Sequence, residues 1–337
     1  MQSTFESENA FVVDLLTTLR HEKFSLKAWG RFLARSWWMS WQTAQAHPTL
    51  KRSWARVTML IGSLAIAIIA ASVFFEGWAS TLRLLPAFLF CAAWQQSDLF
   101  WHLGLNRQNR ITPPVLLSGS EASVALTDDG QGDTSLPLSR IDSGPNREQG
   151  QQAILLPTVG IASTFTWLRG LAACYLIGRL VGGLATANGL ALLVFLVGII
   201  TDILDGQVAR HTHTCSKLGQ IADGEADFCL YLSITLILIQ NGVLPLWLGL
   251  VMLLRFCIPL LAALGSYFLL ARPVRFGSTF WGKYAGLAQC LYLLLLLAPP
   301  QLAFFARLIN LPLLIITLAL LIIAPGAQIV ANVRAEK

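Results

Sequence analysis

Long apolar runs broken by short polar stretches dominate the chain. No charge occurs in residues 57–75, 180–201, 228–254, 284–306 or 308–333. At 1.5 Å per helical residue, each run is long enough to cross about 30 Å of hydrocarbon. The pattern predicts spans near 57–76, 83–104, 165–183, 186–206, 219–240, 244–270, 283–300 and 311–332. They are separated by turn-forming breaks at Ala187-Asn188-Gly189, 207–218, Asn241-Gly242, Arg272-Pro273 and Pro299-Pro300. No strand pattern and no internal repeat is evident. The expected fold class is all-α, a polytopic membrane protein.

The polar segments divide the chain. Residues 1–56 are basic and Trp-rich, and do not read as a cleavable signal peptide, having no short apolar core with a small-residue cleavage site. Over 25–42, Trp29, Phe32, Leu33, Trp37 and Trp41 share one helical side, with Arg31 and Arg35 near its edge. Such a helix suits the headgroup zone, or packing on other protein. A two-span part follows at 57–105, in which Asp98 and His102 stand four residues apart and can pair on one face. Residues 106–155 turn abruptly to Gly, Ser, Asp, Gln and Pro, the composition of a polar linker. The second membrane domain occupies 156–337 and contains six spans.

Composition supports the reading. Of 337 residues, 55% are hydrophobic and 12% charged, against about a quarter charged in soluble domains. The six cysteines lie mostly inside apolar runs and read as small buried hydrophobes. Most Lys and Arg fall in 1–56, 106–164, 207–218, 271–283 and 333–337, while the alternate loops hold little beyond Arg83 and Arg307. The positive-inside rule then places the N-terminus and these segments in the cytoplasm and supports eight spans. The formal charge of +6 suits anionic lipid; no nucleic-acid partner is expected.

The candidate chemistry lies in TDILDGQVARHTHTCSKLGQIADGEAD, residues 201–227. Asp202 and Asp205 close one span and Asp223 and Asp227 open the next, each pair on one helical face. Their short connection lets four carboxylates converge, which is costly near hydrocarbon unless a cation neutralises them. Only Arg210 and Lys217 are nearby, so a site for divalent metal such as Mg²⁺, Mn²⁺ or Ca²⁺ is the simplest answer. A metal pair there could clamp a pyrophosphate. The competing reading is a cation pathway in a transporter, or a membrane scaffold. Gly206, Ala209 and Gly219 favour the enzyme, because missing side chains let a base and phosphates approach the backbone.

The stretch resembles the CDP-alcohol phosphotransferase signature D-x2-D-G-x2-A-R-x8-G-x3-D-x3-D. Asp202, Asp205, Gly206, Ala209, Arg210, Gly219, Asp223 and Asp227 fill every fixed position. The resemblance implies a six-helix core with a polar chamber open to the cytoplasm, usually in a homodimer; here the core carries two extra N-terminal transmembrane helices. It implies that Asp202, Asp205 and Asp223 ligate two divalent ions, with Mg²⁺ favoured, and that Asp227 touches a metal and serves as general base. Gly206, Ala209, Arg210 and Gly219 would line the CDP pocket. Thr166-x-x-Arg169 resembles a T-x-x-R found at the start of the first core span, which adds Arg169 to the donor site. Gly282-Lys283 and Gln289 resemble G-K-x-K-T-x-x-Q of phosphatidylglycerophosphate and phosphatidylinositol-phosphate synthases, with Ala285 and Gly286 in place of the second Lys and the Thr.

The implied activity moves a substituted phosphate, favoured as phosphatidyl from CDP-diacylglycerol, to a small polyol or polyol phosphate with release of CMP. A soluble CDP-alcohol with a lipid hydroxyl is the close variant. Arg275 and Lys283 are candidates to bind an acceptor phosphate. His211, His213 and Cys215 lack further ligands at zinc spacing and read as a solvated loop. Glu225 points away from Asp223 and Asp227 and is read as structural.

Overall fold

Ser25 opens the first long helix: its Oγ accepts a hydrogen bond from the Ala28 amide and so satisfies one free N–H of the first turn. The computed structural model describes residues 16–107, 155–212, 214–270 and 280–334. Among the described residues, nine long helices follow one another, α1 (Leu26–Ala46), α2 (Pro48–Glu76), α3 (Trp78–Trp101), α4 (Ile161–Val181), α5 (Asn188–His211), α6 (Lys217–Gln240), α7 (Leu246–Leu270), α8 (Phe280–Leu296) and α9 (Ala303–Arg334). No strand occurs among the described residues, so the all-α expectation holds. The expected linker falls almost wholly on 108–154, outside the described residues.

Among the described residues, three helices are long and apolar enough to cross a membrane, Pro48–Glu76, Asn188–His211 and Pro300–Ala327. This is a helical membrane protein. Exposed Met59, Ile66, Phe74, Ile200, Phe304 and Ile322 would be costly in water and suit lipid. The outer face of α1 is apolar too: Trp38 and Leu33 are exposed, whereas Trp37 and Trp41 pack on Phe100 of α3. Of the two readings of this helix, packing on protein is realised on one side.

Helix α4 is the hub. It packs along α3 on one side and along α5 and α6 on the other. One core cluster joins α2, α3 and α4 through Ile61, Leu84, Phe88, Trp167 and Leu171. A second joins α4 to α5 through α9 around Leu176, Phe195, Ile234, Leu293 and Leu321. The N-terminal helix pair is thus built against the six-helix part. Two glycines permit that approach. A Cβ at Gly178 would stand 2.9 Å from Phe88 Cβ and 3.1 Å from the Leu84 carbonyl oxygen, and one at Gly182 would stand 2.9 Å from the Arg83 carbonyl oxygen. Small residues four apart on one face are how membrane helices bring backbones close. At the same end Arg179 of α4 pairs with Glu76 of α2 and also donates to the Ala185 carbonyl at 2.8 Å.

The connection expected at 207–218 is shorter than the sequence implies. Helix α5 runs on through Asp202, Gly206 and Arg210 to His211. Arg210 and His211 in its last turn favour that continuation, since cations stabilise the helix C-terminus. Ser216 then caps α6, accepting from the Gly219 amide at 3.1 Å.

Candidate active site at the junction of helices α4, α5 and α6

The acidic residues occupy the last three turns of α5 and the second and third turns of α6. Asp202 is exposed, Asp223 and Asp227 are half-buried and Asp205 is buried. Between the two helices α4 presents Arg169, 2% exposed. Its Nη1 stands 2.6 Å from Asp202 Oδ1, and its Nη2 hydrogen-bonds Asp223 Oδ1. The same guanidinium lies 3.8 Å from Asp205 Oδ2 and, through Nε, 3.4 Å from Asp227 Oδ1. One cation therefore faces all four carboxylates.

Asp205 is set apart from the others. Its Oδ2 accepts a hydrogen bond from Thr166 Oγ1 at 2.9 Å, and Thr166 is buried one helical turn before Arg169. Asp202, Asp223 and Asp227 each offer a carboxylate oxygen, all within 4.8 Å of one another. The expected quartet thus converges as an open triad backed by a buried fourth member.

Four carboxylates against one guanidinium leave a surplus of negative charge, and the Nε of Arg169 is buried without a hydrogen-bond partner. Hard oxygen donors, close together and open on one side, fit a divalent cation of the Mg²⁺ type. These residues can hold a metal, or a bound phosphate bridged by one.

The smaller signature residues lie beside the triad. Arg210 folds back along α5, its Nη1 3.5 Å from where a Gly206 Cβ would be. A Cβ at Gly219 would meet Ser216 Oγ at 3.5 Å and Ser163 Oγ at 3.7 Å. Ala209 is half-buried on α5. Gly206, Ala209 and Gly219 add no bulky side chain at these positions.

Arg169 was expected to bind donor phosphate from its place in T-x-x-R. In the structure its guanidinium is engaged by carboxylates from both flanking helices. Lys283 is exposed on the first turn of α8, whereas Arg275 lies outside the described residues, as do Arg272 and His213. Asp98 and His102 form the predicted pair, with His102 Nδ1 3.1 Å from Asp98 Oδ2. Glu225 faces this pair from α6, on the side away from the triad.

One residue escaped the sequence reading. Arg255 of α7 donates from Nη1 to Gln289 Oε1 of α8 at 3.1 Å, and it lies close enough to Asp227 for their charges to interact. Its signal was a solitary Arg inside an otherwise uncharged apolar helix, the kind of residue that marks function in a membrane.

Comparison with known proteins agrees with the geometry. The profile of the CDP-alcohol phosphatidyltransferase family matches residues 159–323, which span α4 to α9 and every residue of the acidic centre. The chain is also 42% identical over 69 residues to a protein named cardiolipin synthase (CMP-forming) of Streptomyces coelicolor. That alignment covers 20% of this chain and 32% of the relative, so the chain spans about a third of the curated protein it matches. No solved structure matches the chain. Residues 159–323 of this chain therefore form a CDP-alcohol phosphatidyltransferase domain.

Proposed function

We propose that this protein transfers a substituted phosphate from a CDP-linked donor to an alcohol and releases CMP, as a step of phospholipid synthesis. The observation that carries this reading is the convergence of Asp202, Asp205, Asp223 and Asp227 on Arg169, with all signature positions in register on α5 and α6. CDP-diacylglycerol is the favoured donor, and a small polyol or polyol phosphate the favoured acceptor. Similarity to a protein named cardiolipin synthase (CMP-forming) supports a transferase of phospholipid synthesis that releases CMP.

Asp202, Asp223 and Asp227 would hold divalent cations, Mg²⁺ favoured and two in number, with Asp205 behind them. Bound there, the ions supply positive charge to the donor pyrophosphate and to the departing CMP. The remaining work belongs to the chain. Arg210 pairs with donor phosphate oxygens over the flat surface left by Gly206, Ala209 and Gly219. Arg169 offsets the mutual repulsion of the four carboxylates and fixes α5 against α6. It also lends charge to the donor side. Asp227 accepts the proton of the acceptor hydroxyl, whose oxygen forms a bond to the β-phosphorus as the bond from that phosphorus to the CMP oxygen breaks. Rate enhancement comes mainly from position and preorganised charge.

Eight spans, with the triad facing the cytoplasm and two copies forming a homodimer, complete the proposal. The distribution of Lys and Arg supports the sidedness, and the family resemblance supports the dimer. The division at 56, 105 and 155 is retained as organisation along the chain. A transporter or scaffold would share the acidic cluster but would have no need of the Gly206, Ala209 and Gly219 rim.

The experiment is a panel of alcohols offered with labelled CDP-diacylglycerol and Mg²⁺ to the purified protein, with mass analysis of the lipid product. A new phospholipid together with CMP supports the reading. Absence of CMP with every CDP-linked donor tried, CDP-alcohols included, overturns it.

A further inference from the structure

Helix α4 carries Thr166 and Arg169 into the acidic centre, yet its own start has little to fix where it begins. Its N-cap is Gly160, which has no side chain to bond the free amides of the first turn. Residues 155–160 before it belong to no helix. The groups that hold this segment come from the N-terminal helices, far upstream in the chain.

Asn106 follows the 3-10 turn Leu103–Leu105 at the end of α3 and is 1% exposed. Its Nδ2 donates to the carbonyls of Leu156 at 3.2 Å and Thr158 at 3.0 Å. Its own carbonyl accepts from the Leu156 amide at 2.8 Å. Ser53 of α2 is also buried; its Oγ accepts from the Val159 amide at 3.0 Å and donates to the Val159 carbonyl at 3.5 Å. On the opposite side the segment lies against the connection between α5 and α6, where a Cβ at Gly160 would stand 3.1 Å from Thr214 Oγ1. The next residue, Arg107, accepts at its carbonyl from the amide of Lys217, the first residue of α6, at 3.3 Å. Two consecutive residues at the end of the N-terminal pair thus hold the entries of both α4 and α6.

Those entries lead straight to the acidic centre. Thr166 and Arg169 lie in the second and third turns of α4, and Asp223 in the second turn of α6. A slip of α4 by one residue along its axis would move Arg169 about 1.5 Å, enough to break its 2.6 Å contact with Asp202 Oδ1. Polar groups buried as deeply as Asn106 hold their partners firmly, since leaving one unpaired costs about 1–3 kcal/mol. We propose that the N-terminal helix pair is part of the support of the reaction centre, with Asn106 and Ser53 as positioning residues. They set the axial place of α4, and the Arg107 carbonyl that of α6, so that Thr166 meets Asp205 and Arg169 meets Asp202 and Asp223. The effect on turnover rests on the transferase reading; the effect on the acidic centre does not.

The test compares wild type with Asn106→Ala, Ser53→Ala, Arg169→Gln and Gly182→Ala, all as full chains purified in detergent. Gly182→Ala disturbs the same joint at the far end of α4 and is the control for stability alone. Thermal midpoints with and without Mg²⁺ need no turnover. Displacing α4 takes the Arg169 guanidinium from the carboxylates, so Mg²⁺ should raise the midpoint of Asn106→Ala more than that of wild type, as for Arg169→Gln. The double variant Asn106→Ala/Arg169→Gln should gain no more than Arg169→Gln, and Gly182→Ala should gain as wild type does. In CMP release from CDP-diacylglycerol, Asn106→Ala should lose about ten- to a hundredfold in kcat with donor KM little changed, the scale of a small misplacement caused far from the chemistry. Ser53→Ala should lose less, and it carries the same comparisons should Asn106→Ala fail to fold. Combined with Thr166→Val, Asn106→Ala should lose clearly less than the product of the two separate losses, because both act through the bond to Asp205. An equal Mg²⁺ gain in all proteins, a kcat loss in Gly182→Ala matching that in Asn106→Ala, or independent losses with Thr166→Val overturn the positioning role. If wild type releases no CMP while Asn106→Ala still shows the larger Mg²⁺ gain, the transfer reading falls and the positioning role stands.

Discussion

Arg169 Nη1 stands 2.6 Å from Asp202 Oδ1, and the same guanidinium hydrogen-bonds Asp223 on the neighbouring helix. A residue of α4 thereby ties α5 to α6 at the point where the acidic residues meet. Removing it leaves buried Asp205 and three other carboxylates facing one another without an internal cation. Breaking a buried pair costs roughly 3–5 kcal/mol, and less where a partner such as Asp202 is open to solvent. Arg169→Gln should lower the thermal midpoint in detergent measurably. Added Mg²⁺ should stabilise the variant more than wild type, because bound cations then carry the whole compensation. An unchanged midpoint would remove the tying role.

Thr166 tests the buried member of the cluster. Its hydroxyl donates to Asp205 at 2.9 Å, and Thr166→Val keeps the shape while removing the donor. A hydrogen bond to a charged group contributes about 1.5–3 kcal/mol. Thr166→Val should reduce stability by an amount near that range and lower kcat, whereas Thr166→Ser should retain most of both. Wild-type stability and kcat in Thr166→Val would show that the hydroxyl bond to Asp205 contributes nothing.

Asp227 is assigned two tasks, ligand and base. Loss of a general base typically costs about 10²–10⁴ in rate. Asp227→Asn should reduce turnover on that scale while leaving donor binding, followed by calorimetry with a CDP-linked analogue, largely intact. Equal loss of binding and turnover would make Asp227 mainly a ligand.

The join between the N-terminal helices and the six-helix part depends on close backbone approach at Gly178 and Gly182. A Cβ at Gly182 would meet the Arg83 carbonyl oxygen at 2.9 Å, a contact no side-chain rotation can relieve. Overpacking of this kind costs about 1–3 kcal/mol. Gly182→Ala and Gly178→Ala should each lower the thermal midpoint, while protein that remains folded keeps the wild-type KM for the donor, since these glycines lie away from the acidic triad. Midpoints equal to wild type would mean that α3 is free to move away from α4.

The signature was legible because its meaning is local. Asp202 with Asp205, and Asp223 with Asp227, each share a helical face by spacing alone, and the structure brings these faces together. The helices were legible from their apolar runs, whereas the Ser25 and Ser216 caps come from the structure. Other features depend on contacts between segments far apart in the chain. Thr166 donating to Asp205, and Arg255 meeting Gln289 across Gly286, leave no periodic trace. Nor does the pairing of Arg179 with Glu76, which binds α4 to the N-terminal pair. The end of α5 was misjudged because Gly206 and the polar residues after it resemble a loop. In place, the helix continues and carries Arg210 back over Gly206. Eight spans were read from hydropathy and charge; among the described residues three helices meet the length and apolarity of a span on their own.

The most direct measurement is CMP release from CDP-diacylglycerol by purified protein, as a function of Mg²⁺ concentration, for wild type beside Asp223→Asn. Wild type should release CMP only when Mg²⁺ is present and an acceptor alcohol is supplied. Asp223→Asn, which removes one carboxylate of the triad and one partner of Arg169, should need far more Mg²⁺ or lose activity altogether. CMP release that is indifferent to Mg²⁺, or equal in Asp223→Asn and wild type, would contradict an acidic centre that works by holding a cation.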